Sequence, residues 1–331
     1  MQPLALLSAL ILALGIGRLD DVASTNKLDH VLLWGRDIDQ VTAVMAAKLG
    51  FQVKPGRNPG GVANRFVRMP DQSYIELLGI TRPNADLDPG MLADRTALKG
   101  GPGTRSFGVH SSALDQVYAS LKSQGYGVTQ IFTASRTDPD GGGPSKPPRW
   151  RLFAFDRAPL SSNVFFIDYA VDKTGPANVA DDRLAREHPN GARELSAYWL
   201  LSSNADADRR QLERMGFPGA LPVRIPQINA RGFCVPVGPN SILALEPDGQ
   251  GMAAAALRSG GPQVLGVSIA VSDLERTKRL VERGYERQLE RYKGTLGDSF
   301  LAPTQDDLGM LIEFHAQPQT AVVNACRGIQ P

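Results

Sequence analysis

The chain is 331 residues long, with 42 % apolar and 21 % charged side chains. These proportions are ordinary for a globular protein and exclude wholesale disorder or a fibrous architecture; at roughly 150 residues per domain the length suggests about two domains. The 36 basic and 34 acidic residues nearly cancel, and a net charge of +2 gives no case for a nucleic-acid partner.

Residues 4–16, LALLSALILALGI, form one apolar run. The run is short of the ~20 residues a bilayer span needs, and it matches the apolar core of a secretory signal peptide. Ala13-Leu14-Gly15 and Gly15-Ile16-Gly17 are small-x-small cleavage sites, although Met-Gln-Pro ahead of the run carries no Lys or Arg. Residues 1–24 therefore read as a signal peptide or N-terminal membrane tether of a periplasmic, secreted or anchored protein. The alternatives are a helix packed on the body of a cytoplasmic one, or a misassigned start codon.

LDHVLLW at 28–34 is short, apolar and bounded by Gly35, the signature of a strand. Asp37 is placed to cap a helix from about Asp39 to Leu49, with Val41, Val44, Met45 and Leu49 on one face and Gly50 ending it. Short strands are expected at 51–54, 63–69 and 74–79, which makes the unit βαβββ. The same order returns from about residues 104, 195 and 264, with helices ending at Gly125, Gly216 and Gly284. Such internal similarity decides the fold.

Matching the helix starts places His30, Ser106, Ala197 and Gly266 at one position on the four first strands. Ile75-Glu76, Ile167-Asp168, Leu245-Glu246 and Ile312-Glu313 then align on the last strands. A carboxylate inside an apolar strand is costly unless paired, hydrogen-bonded or metal-bound. Two such units side by side form a curved sheet around a cleft, with helices outside. The expected architecture is α+β: modules near 28–79 and 104–170 in a first domain (25–172), a linker (173–193), modules near 195–247 and 264–315 in a second (194–317), and a tail (318–331).

Histidine is scarce, with four in the chain, and only the first module carries one at the shared position. Cys234 and Cys326 stand 92 apart without any CxxC spacing, so they suit either one disulfide of an exported protein or two free thiols. No strand-to-helix junction carries a phosphate-binding glycine motif, which disfavours nucleotide cofactors.

The segments LDHVLLWGRDID, GGVANRFVRM and SYIELLGI, with NVFFIDY and HPNGARELSAY further on, resemble the vicinal-oxygen-chelate superfamily of glyoxalases and extradiol dioxygenases, in particular its glyoxalase-like domain branch. The resemblance is closest over residues 26–200. It implies a divalent cation (Mn, Fe, Zn, Ni or Mg) in the cleft of the N-terminal pair, with His30, Glu76 and Asp168 as ligands. Ser106 departs from the usual ligand, and His110, four residues on, is a candidate second imidazole. Glu76 or Asp168 would shuttle a proton on a small substrate with two neighbouring oxygens, as in an isomerase or lyase. Two other readings stand beside this one: a metal-free protein that binds or sequesters a small molecule, and an extradiol-type dioxygenase. The resemblance also allows a homodimer.

For the pocket, the Gly60-Gly61 turn would present Asn64 and Arg65 to substrate. Trp150, Phe153 and Phe166 are candidates for an apolar wall, with the stretch from Asp138 to Pro148 as a cover. The C-terminal pair, with Ala197, Glu246, Gly266 and Glu313 but no imidazole, is expected to be structural or to shape the entrance.

Overall fold

Alternating apolar positions build the first unit of the computed structural model, which describes residues 26–56, 59–85, 87–92, 94–97, 101–133, 150–169, 183–317 and 326. The leader, the 138–148 stretch, residues 173–182 of the linker and all of the tail but Cys326 lie outside the described residues. Strand β1 (Asn26–Trp34) leads to helix α1 (Ile38–Ala43), whose first turn is capped by Asp37, its carboxylate accepting from the amides of Asp39 and Gln40. The helix continues as a π-turn over Val44–Lys48, and the chain reverses at Gly50 (φ +70°). Three strands follow, β2 (Lys54–Pro55), β3 (Val62–Arg68) and β4 (Tyr74–Ile80). The expected strand at 51–54 shrinks to β2, because the Phe51 side chain turns into the core and the Gln52 amide donates to His188.

Between the first and second units, α2 (Pro89–Leu92) and α3 (Asp94–Ala97) cross over. The second unit is β5 (Gly103–Ser111), α4 (Leu114–Ser123), β6 (Phe132–Thr133), β7 (Trp150–Phe153) and β8 (Asn163–Tyr169). The third comprises β9 (Ala192–Leu201), α5 (Ala205–Arg214), β10 (Leu221–Ile225), β11 (Ala230–Val237) and β12 (Asn240–Pro247). Helix α6 (Met252–Gly260) joins it to the fourth, with β13 (Gln263–Val271), α7 (Leu274–Tyr285), β14 (Arg291–Gly294), β15 (Gly297–Ala302) and β16 (Leu311–Ala316).

In each unit the first and last strands pair in parallel, and the first strands of units one and two pair antiparallel, as do those of three and four. The result is two curved eight-stranded sheets, β2-β3-β4-β1-β5-β8-β7-β6 and β10-β11-β12-β9-β13-β16-β15-β14, in contact at Val264 and Thr104. Their helix-bearing faces share one apolar core, to which Leu28, Val41, Leu114, Leu212, Val281 and Phe314 contribute. Gly284 lies inside α7 rather than ending it, and a side chain there would meet the Lys48 backbone at 2.3 Å. Close helix packing between the halves is the reason for that glycine.

The concave faces are filled differently. In the C-terminal sheet Ala253, Ala256 and Leu257 of α6 pack on Trp199, Leu243 and Leu311. In the N-terminal sheet Ala85, Leu87 and Met91 cover Leu32, Trp34, Leu78 and Phe165. Cys234 and Cys326 form a disulfide, which pins the chain at Cys326 to β11. Among the described residues no helix is long and apolar enough to cross a membrane.

Candidate active site

Strand alternation sends side chains of β1 to the two faces in turn, and one irregularity changes that order. Leu28 pairs with Val109 and Val31 with Phe107, so Asp29 and His30 together oppose the single residue Gly108. This is a β-bulge, a device that re-aims side chains. The imidazole and the preceding carboxylate both reach the concave side, where His30 Nδ1 bonds Asp29 Oδ1.

The register of β1 with β4 pairs His30 with Tyr74 and Leu32 with Glu76. The Tyr74 ring stacks on His30 with centroids 4.2 Å apart, and Phe165 meets the imidazole edge-on at 5.1 Å. His30 Nε2 faces Glu76 Oε2 at 3.7 Å, and Asn64 donates to Glu76 Oε1 at 3.4 Å. Burial pushes the Glu76 carboxyl up to about 7; His30 opposes the shift and Asp88 adds to it. Asp88, buried where α2 begins, is itself raised by burial. Around Asp29 the Tyr169 hydroxyl donates to Oδ1 at 2.8 Å and shares a 3.2 Å hydrogen bond with the Tyr74 hydroxyl. Burial holds both phenols far above their ordinary range.

The second unit supplies no matching pair. Ser106 pairs with Asn163 as His30 pairs with Tyr74, so the counterpart of Glu76 is Phe165, not Asp168. Asp168 lies three residues further on, an odd offset that turns it to the helix face. There it accepts from Arg151 at 3.2 Å, and the same guanidinium forks Asp115 of α4. The Ser106 hydroxyl is held by Asp94, which also accepts from Trp34 Nε1 at 2.7 Å and Asn163 at 3.3 Å. Burial pushes Asp94 up to about 6.

The other pocket residues divide by strand parity. Asn64 faces the cleft, while Arg65 points to α1, donating to Thr42 at 2.6 Å and pairing with Asp39. Trp150 packs beside the cleft cluster, but Phe153 and Phe166 lie in the core under the helices, because they sit on the opposite faces of β7 and β8. His110 is half-buried at the cleft's end, stacked 5.9 Å from Tyr169. Sequence reasoning missed Asp29, Tyr74, Tyr169, Asp88 and Asp94. The pair Asp29-His30 opposite a glycine was the one available signal.

A resident divalent cation would need donors from both units. His30 Nε2 and Glu76 face each other, but the second unit offers a serine engaged with Asp94 and a phenylalanine. Among the described residues no three His, Cys, Asp or Glu side chains are placed to hold an ion. The described donor set does not fit the implied metal.

In the C-terminal cleft the counterpart of Glu76 in unit four is Glu313, as aligned, but in unit three it is Leu243 rather than Glu246. Glu313 accepts from Ser268 at 2.6 Å and Tyr292 at 2.7 Å, and Glu246 binds Arg231 and the Ala205 amide. His315 bonds Ser196 at 2.9 Å. These polar groups satisfy one another.

The model of the glyoxalase-like domain matches residues 28–216, more than half of the chain. The chain belongs to the glyoxalase-like domain family. Its fold is that of the vicinal-oxygen-chelate superfamily. A triple mutant of 4-hydroxymandelate synthase from Streptomyces coelicolor matches with a TM-score of 0.62 at 11 % identity, covering 90 % of this chain and 95 % of that one. A catechol 2,3-dioxygenase matches at TM-score 0.56 and 14 % identity (88 % and 90 % covered), and a hypothetical protein from Staphylococcus aureus at 0.54 and 13 % (88 % and 99 %). At these identities the likeness shows the fold alone. No curated protein sequence matches this glyoxalase-like chain significantly.

Proposed function

We propose that this glyoxalase-like protein is an enzyme of the isomerase or lyase type, with its site at His30 and Glu76 in the N-terminal cleft. The substrate class is a small α-hydroxy carbonyl compound. One observation carries the reading: a buried carboxyl pushed up to about 7 stands 3.7 Å from an imidazole. Near pH 7 both forms of Glu76 are populated, which suits an acid–base catalyst. The gap is too long for a hydrogen bond, and a substrate oxygen between the two groups would reach both.

In this reading the Glu76 carboxylate takes the carbon-bound proton beside the carbonyl and returns it to the neighbouring carbon. His30 Nε2 takes the substrate hydroxyl proton and delivers it to the former carbonyl oxygen, so that one proton moves between the carbons and one between the oxygens, and the apolar walls (Leu32, Leu78, Phe165) exclude water. No third donor is required. Extradiol chemistry, which calls for two imidazoles, finds one beside Glu76 among the described residues, with His110 stacked on Tyr169 at the cleft's end. The same walls support a second reading, a protein that sequesters an apolar compound.

The test is proton exchange in deuterium oxide, followed by NMR over a panel of small α-hydroxy ketones and aldehydes. Wild type is expected to wash out the carbon-bound proton of at least one compound, and Glu76→Gln to lose that activity by about 100-fold or more. Equal behaviour of the two proteins across the panel would overturn the enzymatic reading. Saturable binding without exchange would favour sequestration.

A further inference from the structure

We propose that Asp29 is the positioning residue of this site, and that it fixes the His30 tautomer carrying its proton on Nδ1, so that the Nε2 lone pair faces Glu76. The inference deepens the reading of His30 given above, but the tautomer stands or falls by itself.

Two adjacent residues of a regular strand point to opposite faces, and only the bulge lets a carboxylate bond the ring of its neighbour. Gly108 makes the bulge tolerable: a Cβ there would come within 2.8 Å of the Phe165 ring and 3.2 Å of His30 Cε1. The ring is then held on each side, by Tyr74 stacked at 4.2 Å, Phe165 edge-on and Asp29 at Nδ1. Asp29 is 3 % exposed, and its Oδ1 already receives the Tyr169 hydroxyl.

Two tautomers compete for this geometry. With the proton on Nδ1, an acceptor-only carboxylate meets a donor, and the bond is charge-assisted. With the proton on Nε2, a ring lone pair would be pressed against Asp29 Oδ1. The Nε2 proton would gain only a carboxylate oxygen 3.7 Å away, beyond hydrogen-bond reach. The first arrangement gives Nδ1 and Asp29 a partner in each other, and the second sets two lone pairs against one another. Asp29 thereby decides which ring nitrogen the cleft sees, as an outer carboxylate does for a working histidine elsewhere.

The scarcity of histidine makes the test direct. The full-length chain, labelled with 15N at histidine, should give four ring systems in long-range 1H–15N spectra, and His30 is assigned by the loss of its signals in His30→Gln. At alkaline pH the His30 ring is expected to show a protonated Nδ1 and an unprotonated Nε2. Asp29→Asn preserves shape but can turn an amide donor to the ring, and is expected to lose the Nδ1–H signal while the His188 and His315 signals stay in place. A wild-type ring protonated at Nε2, alone or together with Nδ1, overturns the proposal. So does an Asp29→Asn ring that keeps its Nδ1 proton.

If Asp29→Asn fails to fold, the wild-type spectrum still decides. Tyr169→Phe adds a second arm, since it removes a donor from Asp29 but not the carboxylate. Retention of the Nδ1 proton is expected there, and its loss would assign the role to Tyr169 instead. No substrate is used, so an inactive protein with the expected tautomer would sink the isomerase reading and leave this one standing.

Discussion

Glu76 should cost the protein stability at neutral and alkaline pH, and Glu76→Gln should recover it. The carboxyl is 6 % exposed and is pushed from 4.5 to about 7, chiefly by burial. The native state therefore binds a proton more tightly than the unfolded chain. The stability associated with that proton is fully present below pH 4.5 and is lost as pH rises through about 7. At about 1.4 kcal/mol per pH unit the loss amounts to roughly 3 kcal/mol. Glutamine keeps the shape and the oxygen that Asn64 meets, and does not ionise. For a chain of 331 residues the gain corresponds to about 4–5 °C in Tm on the alkaline side. Thermal unfolding of wild type and Glu76→Gln in one buffer series from about pH 5 to about pH 9 reads it, because groups that do not interact with Glu76 cancel between the two proteins. The curves should converge at the acid end and part as pH rises. Parallel curves over the whole range would mean that Glu76 is ionised at little cost, and the acid–base role would lose its physical basis.

Four further outcomes follow from the same geometry. Gly108→Ala should destabilise by about 1–3 kcal/mol and shift the His30 ring signals, because the new methyl group collides with Phe165 and His30; an unchanged Tm would argue against the bulge. Asp94→Ala removes the acceptor for Trp34, Ser106 and Asn163, and should raise protease cleavage within residues 85–97 at least several-fold, read by limited proteolysis and mass spectrometry. Cys234 and Cys326 close a loop over a separation of 92 residues, so reduction should lower stability by about 4–5 kcal/mol; alkylation of both thiols in the unreduced, denatured protein would contradict the disulfide. Metal content after purification without a chelating tag should be far below stoichiometric, and equal in wild type and His30→Ala, whereas a full equivalent lost on that substitution would show that the described donors suffice for a resident ion.

The sequence makes the fold legible because glycine-ended helices and apolar strands recur in one order, and module starts near 28, 104, 195 and 264 fall within three residues of β1, β5, β9 and β13. Parity makes part of the candidate site's geometry legible as well. His30 and Glu76 stand on neighbouring parallel strands, and both do face the cleft. The misplaced carboxylates have one cause. Matching Ile167-Asp168 to Ile75-Glu76 by residue type slips the register by three, since hydrogen bonding sets Ser106 against Asn163. An odd slip exchanges the faces of a strand, and Asp168 passes to Arg151 and α4. The same slip selects Glu246 where Leu243 belongs, while unit four, whose acidic residue is in register, aligns correctly. Asp29 was hidden for the opposite reason, because regular alternation would aim it away from His30 and a bulge is written in the backbone.

The corrected register also explains why the imidazole–carboxyl pair of the cleft comes from one unit alone. Phe165 occupies the position where a symmetric cleft would hold a second carboxylate, and its ring centroid lies 5.1 Å from that of the imidazole. Asp94, brought in by the crossing segment, engages the Ser106 hydroxyl that would be the second first-strand ligand. Unit two thus contributes a wall and an anchor, and unit one contributes the titrating groups. A wall of this kind raises the cost of charge at Glu76, and burial is the largest cause of its raised pKa. Phe165→Asn tests the link, because a polar side chain in place of the ring should bring the Glu76 carboxyl down toward its ordinary value. A 13C-carboxyl titration that leaves Glu76 near 7 in that variant would separate the wall from the pKa and refute the argument.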